Sequence, residues 1–390
     1  MGRDRRAAVG AELMRDRTAL VERIVAEVHA EVPAYRALHG SQLAEVRAIT
    51  AWLVTRSLEL WVAGGTRLAA EDVERLRGIG RTRAADGRSI GAVVRAHRVG
   101  SVAAMRLISA YAGDRLETAD VFALSELWMT SIDQISEGLA AGHAETARRM
   151  DADLERARRT FLDDLLIGRQ ASRGAIRDRA RTLGITPPDP AVLVVAEPVN
   201  TGDPSPVTVS NALELIARME PAVADPLSTT RSGRVVLLSS PDDADRAARA
   251  LDGRAWRGCV SAPRQLTDVS SAYRLADGAL ETAPPHAFGS GGLLGEADAC
   301  VLALLNGGPV TPDAVRSAVL GPLLTESNAH LLETLRAYFR EGAATSAAES
   351  LHVHAQTLRY RLRRARELTG HDPHRPWSRF VLETACAIAP

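Results

Sequence analysis

The sequence predicts a multidomain, mostly α-helical protein: an all-α N-terminal domain, an α+β middle domain and an all-α helix-turn-helix C-terminal domain. Three observations carry this. Over residues 7–150 apolar residues recur at helical spacing and nothing alternates with period two. Beyond Pro187-Pro188-Asp189-Pro190, short continuous apolar runs alternate with helical patterns. In the last sixty residues, short helices lead to Ala355–Thr369, where five of the eight residues 359–366 are arginine.

Composition narrows the classes. The chain has 390 residues, 46% hydrophobic and 25% charged, an ordinary globular balance. Its 48 basic residues, all arginine, match 48 acids. Cys259, Cys300 and Cys386 are widely spaced, which indicates neither a disulfide framework nor a zinc site. The N-terminal stretch lacks a signal-type apolar core, and no apolar run approaches the ~18 residues of a membrane span. A cytoplasmic protein is expected.

The first domain, residues 1–150, reads as five or six helices. Leu13, Leu20, Ile24 and Val28 mark an opening helix that ends before Pro33, and residues 43–62 form a second, closed by Gly64-Gly65. Residues 71–83, 90–111 and a long helix from Thr118 follow. His97 sits mid-helix. It is read as a surface or hydrogen-bonded histidine, since nothing around it supports a haem. Leading into and along a connecting helix at 151–186, Met150, Leu154, Ala157 and Phe161 recur at steps of four, three and four, about two heptads. That spacing suits a short coiled coil or one helix packing on its own domain.

The middle domain, residues 187–308, has strand-like runs at 191–197 and 234–240 and a weaker one at 257–261. Helical patterns at 207–219, 242–251 and 266–282 separate them. GSGGLLG at 289–295 lacks a preceding strand, a Gly-Lys-Ser/Thr ending and the dinucleotide spacing, so it reads as a flexible loop.

In the C-terminal domain, residues 309–390, a helix at 330–340 offers Leu331, Leu332, Leu335 and Phe339 to a core and stops at Gly342. Thr345 or Ser346 is placed to cap a short second helix, with Glu349 at capping-box spacing from Ser346. His352-Val353-His354 then turns into Ala355–Thr369. There Leu358, Leu362, Ala365 and Leu368 form one apolar stripe, and at about 100° per residue Gln356, Tyr360 and Arg363 face away from it. Arg359 and Arg364 flank the stripe. Residues 351–379 hold seven arginines against Glu367 and Asp372, a net +5, so the rest of the neutral chain carries −5. Double-stranded DNA is the expected partner, with Gln356, Thr357, Arg359, Tyr360, Arg363 and Arg364 as the candidate contacts. Half-site reading favours a homodimer. The pairs His352/His354 and His371/His374 have no third ligand to complete a metal set, no catalytic motif is present, and neither cofactor nor enzymatic activity is expected.

These residues carry family resemblances. LLETLRAYFREG, AAESLHVHAQTLRYRLRRARELTG and FVLETACAI resemble the C-terminal helix-turn-helix of PucR/CdaR-like bacterial transcriptional regulators. Where family members commonly carry Pro-Asn, this chain has Ala355-Gln356. The order of the middle domain is similar to the degenerate GGDEF-like domain of the same regulators. A cyclase of that fold would need a Gly-Gly-Asp/Glu-Glu-Phe turn, and residues 228–235 read STTRSGRV instead. LAAEDVERLRGIGRTRAADGRSIGAVVRAHRVGS resembles the RsbR-type helical N-terminal domain, which implies a globin-like fold without haem. Together they imply a DNA-binding regulator modulated by a small-molecule effector or partner protein at its N-terminal domain. The alternative is a stress-signalling interaction scaffold without specific DNA binding.

Overall fold

Asp16 interrupts the first apolar periodicity, so the expected opening helix is two: α1 (Gly2–Arg15) and α2 (Arg17–Glu31). The computed structural model describes residues 2–169, 172–199, 207–220, 226–251, 256–288 and 291–388. After α2 come the one-turn α3 (Pro33–Arg36), α4 (Ser41–Ala63), α5 (Ala70–Ala85), α6 (Ile90–Ala112) and α7 (Thr118–Leu166). Met1–Asp153 forms one compact unit and Leu154–Pro390 a second.

Within the first unit, Leu13, Ile24, Leu58, Trp61, Ile108 and Leu127 share a core. The Trp61 indole N–H donates to the Asp120 carbonyl oxygen at 3.1 Å. The Asp120 carboxylate is buried and accepts from Arg6 at 2.7 Å and Arg5 at 3.4 Å. Burial pushes this carboxyl up, but the Arg6 guanidinium and the Glu117 amide outweigh it and hold it below the usual range. Helices α5 and α7 cross at near backbone contact. A Cβ on Gly142 would lie 2.0 Å from the Arg77 carbonyl oxygen, and one on Gly80 would lie 2.2 Å from that of Leu139. Only glycine permits this approach.

The long helix expected from Thr118 and the connecting helix expected over 151–186 are continuous, since α7 runs unbroken for 49 residues, but it ends at Leu166 rather than reaching 186. Met150 and Leu154 are exposed on it. Phe161, expected on the same seam, is instead fully buried among the helices and strands of the second unit. It is therefore unavailable to a partner helix.

In the second unit, α8 (Arg173–Thr182) precedes a five-stranded sheet of order β2-β3-β1-β4-β5. The strands are β1 (Val192–Pro198), β2 (Leu227–Arg231), β3 (Arg234–Ser239), β4 (Trp256–Val260) and β5 (Leu293–Leu294). All pairs are antiparallel except β4–β5. The helices between them are α9 (Val209–Met219), α10 (Ala244–Leu251) and α11 (Val269–Thr282). The apolar run in β1 is continuous because the strand is central and covered on both faces. Leu193 and Val195 pack with α8, α11 and the end of α7, while Val192, Val194 and Ala196 pack with α9 and α10.

Two parts of this sheet escaped the periodicity. Strand β2 pairs with β3 through a two-residue turn, Ser232-Gly233, with φ of 51° and 75°. That is the conformation a tight hairpin requires. The loop expected at 289–295 is partly ordered structure: Leu293 and Leu294 pair in parallel with Gly258 and Cys259, while Gly289 and Ser290 lie outside the described residues. Helix α12 (Glu296–Leu305) follows, then α13 (Pro312–Leu320). No helix among the described residues is long and apolar enough to cross a membrane.

Candidate nucleic-acid interface

The C-terminal residues build a helix-turn-helix from successive stop and start signals. Helix α14 (Ala329–Glu341) ends on Gly342, left-handed at φ 71°, whose N–H donates to the Tyr338 carbonyl at 3.0 Å. Helix α15 (Ala344–Ser350) starts earlier than expected. Ala343 holds the N-cap position with no side-chain bond, so Thr345 and Ser346 lie within the first turn and cap nothing. The chain reverses at His352, φ 50°, where the Val353 N–H donates to the Ala348 carbonyl at 3.0 Å. His354 then caps α16 (Ala355–Thr369): its Nδ1 accepts from the Gln356 N–H at 3.2 Å. Helix α17 (Pro376–Ala387) closes the bundle, with proline at its first position.

Burial divides α16 as its periodicity requires. Leu358, Leu362 and Ala365 are buried, and Leu368 is half-buried, in a core with α13, α14, α15 and α17. Gln356, Thr357, Arg359, Tyr360, Arg363 and Arg364 are all exposed. Tyr360 keeps 55% of its surface, much for an aromatic ring. The Arg363 guanidinium lies 5.6 Å from the centre of that ring, which holds both groups on the same face. Two other arginines of the helix are committed elsewhere. Arg361 is half-buried and donates to Thr334 Oγ1 at 3.5 Å, and Arg366 pairs with Asp372 at 3.1 Å.

Two neighbours of the candidate contacts have partners that the sequence reading did not assign. Glu367 stands 2.9 Å from Arg364 and 3.9 Å from Arg363, and its three- and four-residue spacing was the signal available. His354 was read as turn, although a polar residue directly before a helical pattern is where a cap belongs. Arg359 has no ion pair among the described residues. His374 and His371 also have local partners: His374 Nδ1 lies 3.2 Å from Tyr338 Oη, and His371 Nδ1 lies 4.0 Å from Asp298. Burial pulls the His371 imidazole down, against the opposing pull of Asp298.

In the sheet, the hairpin between β2 and β3 turns on Ser232-Gly233 and has no acidic residue at the turn. The carboxylate of Glu197 is engaged by Arg234 at 2.7 Å and by Arg257. Arg234 also binds Asp277. These acids are consumed in arginine pairs rather than grouped, and no cluster of three metal-ligating side chains occurs among the described residues.

Comparison with known proteins matches each segment separately. Residues 331–388 match the PucR C-terminal helix-turn-helix domain, residues 168–282 the GGDEF-like domain, and residues 18–158 the RsbT co-antagonist protein rsbRD N-terminal domain. A 76-residue stretch is 41% identical to uncharacterized proteins of Mycobacterium tuberculosis and Mycobacterium bovis. It covers 19% of this chain and 18% of each relative, so the chain spans under a fifth of their length in this match. The crystal structure of a regulator of polyketide synthase expression from Bifidobacterium adolescentis aligns with a TM-score of 0.42 at 19% identity, over 60% of this chain and 96% of that one. The chain thus carries an RsbRD-type helical N-terminal domain, a GGDEF-like domain and, at its C-terminal end, a PucR-type helix-turn-helix domain.

Proposed function

We propose that the protein is a cytoplasmic DNA-binding transcriptional regulator whose helix α16 docks in the major groove. One observation carries the reading: α16 sinks its apolar stripe into a helix-turn-helix core and leaves Gln356, Thr357, Arg359, Tyr360, Arg363 and Arg364 exposed. Arg359, Arg363 and Arg364 take phosphates or guanine edges, and Gln356, Thr357 and Tyr360 take bases or backbone. The domain limits we assign are 1–150, 151–186, 187–308 and 309–390. The GGDEF-like domain serves as a non-catalytic linker, since its hairpin turn is Ser232-Gly233 and its nearby acids are paired with arginine. The helical domain is the input end, and two copies pair to read two half-sites. The exposed Phe122, Met129, Met150 and Leu154 on α7 support that pairing.

A second reading draws on the RsbRD-type domain, which matches a co-antagonist protein. The chain would then be an interaction scaffold with no specific DNA complex. Anisotropy titration of a duplex from upstream of its own operon, against a shuffled duplex, separates the two. Equal affinity for both duplexes sinks the regulator reading.

A further inference from the structure

The helical unit contains a cavity of about 120 Å³ between α2, α4, α5, α6 and α7. An engineered apolar cavity of about 150 Å³ takes up benzene, so this volume suits a single ring. It is far too small for a tetrapyrrole. Its walls are mostly isoleucine, leucine, valine and alanine.

Polar side chains interrupt those walls, and two of them, Ser131 and Arg83, have incomplete bonding among the described residues. His97, expected on the helix surface or in a hydrogen bond, lines this cavity with Nε2 3.5 Å from Ser101 Oγ. Ser131 lines it too, and its buried Oγ has no hydrogen-bond partner among the described residues. Arg83 is 2% exposed. One of its terminal nitrogens, Nη1, binds Glu45 at 2.9 Å and Asp86 at 3.3 Å, while the other, Nη2, is buried with no hydrogen-bond partner among the described residues. Buried donors and acceptors of this kind are ordinarily satisfied, by protein or by a bound molecule.

We propose that this cavity binds an uncharged, single-ring, mainly apolar ligand bearing a hydroxyl or similar hydrogen-bonding group. The ring fills the apolar volume, and the polar group meets the open valences of Ser131, Arg83 or the His97–Ser101 pair. An anion is disfavoured because two carboxylates already balance the Arg83 charge. Burial also keeps the imidazole of His97 down at about 4, so it supplies no positive charge near neutrality.

The proposal deepens the input role given to the helical domain and rests on it for any effect on DNA. Its test does not involve DNA, so either reading can fail alone. The full chain is titrated with phenol and benzoate, followed by calorimetry and melting temperature. Phenol should bind saturably and raise the melting temperature, and benzoate should not. Ser131→Leu fills the cavity and removes a buried hydroxyl; it should fold at least as stably and weaken phenol binding at least tenfold. Ala104→Val, a smaller filling, gives the same comparison should Ser131→Leu fail to fold. The proposal is overturned by no saturable response to phenol, by binding undiminished in a folded filled variant, or by preference for benzoate.

Discussion

Arg359 is the sharpest probe of the docking scheme. Its side chain is exposed and has no ion pair among the described residues, so Arg359→Ala breaks no ion pair of the fold. Folding stability should stay within about 0.5 kcal/mol of the parent. Each phosphate contact adds about 0.9 to the slope of log affinity against log salt, so between about 50 and 200 mM one contact weakens binding roughly 3.5-fold. A phosphate role therefore predicts a slope shallower by about 0.9 on operator and random duplexes alike. A guanine role predicts a loss of about 1–3 kcal/mol, roughly 5- to 150-fold, on the operator alone. Arg364 differs because Glu367 holds it at 2.9 Å, and half-exposed pairs of this kind contribute only ~0–1 kcal/mol. Glu367→Gln should accordingly tighten DNA binding, by freeing Arg363 and Arg364 and removing a negative charge beside the phosphates. The assay is fluorescence anisotropy on operator and random duplexes at several salt concentrations, with urea unfolding of each variant. Unchanged affinity and salt slope for the Arg359→Ala/Arg363→Ala double variant would refute the docking.

The other predictions concern stability. His354→Ala should lose about 1 kcal/mol by uncapping α16 and His354→Asn should retain most of it, read by urea midpoints at constant m. Gly142→Ala should destabilise the helical domain by about 1–3 kcal/mol or more, since its Cβ meets the Arg77 carbonyl at 2.0 Å; unaltered melting would show that α5 and α7 separate freely. His97 is held at about 4, below the ~6.5 of an unfolded histidine, so the unfolded chain binds more protons between these values. Its contribution is therefore complete above about 6.5 and is lost as pH falls toward 4, at up to ~1.36 kcal/mol per pH unit. His97→Leu should flatten that part of the stability–pH curve, and an unchanged acid slope would show that His97 does not supply it.

Legibility in the sequence followed the strength of local signals. The face of α16 was readable because one apolar stripe fixes the phase of every other residue, including Arg361, which turns back toward Thr334. The six proposed contacts were found that way, whereas Glu367 was passed over because its partners were read only for DNA. Strand β2 was missed because STTR is polar and sits at the sheet edge, where burial leaves no continuous run. The continuity of α7 has no single stripe to mark it, because its apolar residues serve one core near Leu127 and another near Phe161, with an exposed stretch between them. The cavity around His97 had no local signal at all. Ser101 is one helical turn away, but Arg83 and Ser131 come from other helices, and only the tertiary fold brings them to the same walls.

Helix α12 bears on how the DNA-reading end can be controlled. Ala299 and Leu302 lie in the core that holds the sheet, while Cys300 and Val301 lie in the core that holds α16. Adjacent residues of one short helix thus belong to two hydrophobic clusters. Asp298 fastens the same place: it accepts from the Gly295 N–H and from the Trp377 indole N–H, both at 2.8 Å. Close-packed clusters shared along a rigid helix resist bending, and the buried Asp298 would lose a partner if α17 swung away. The helix-turn-helix is therefore fixed to the GGDEF-like sheet rather than tethered to it. On the regulator reading, an input signal has little freedom to reorient α16 against its own sheet. In the dimer we propose, it acts instead by changing how two copies of this sheet-and-bundle body pair, and so the spacing between their two α16 helices.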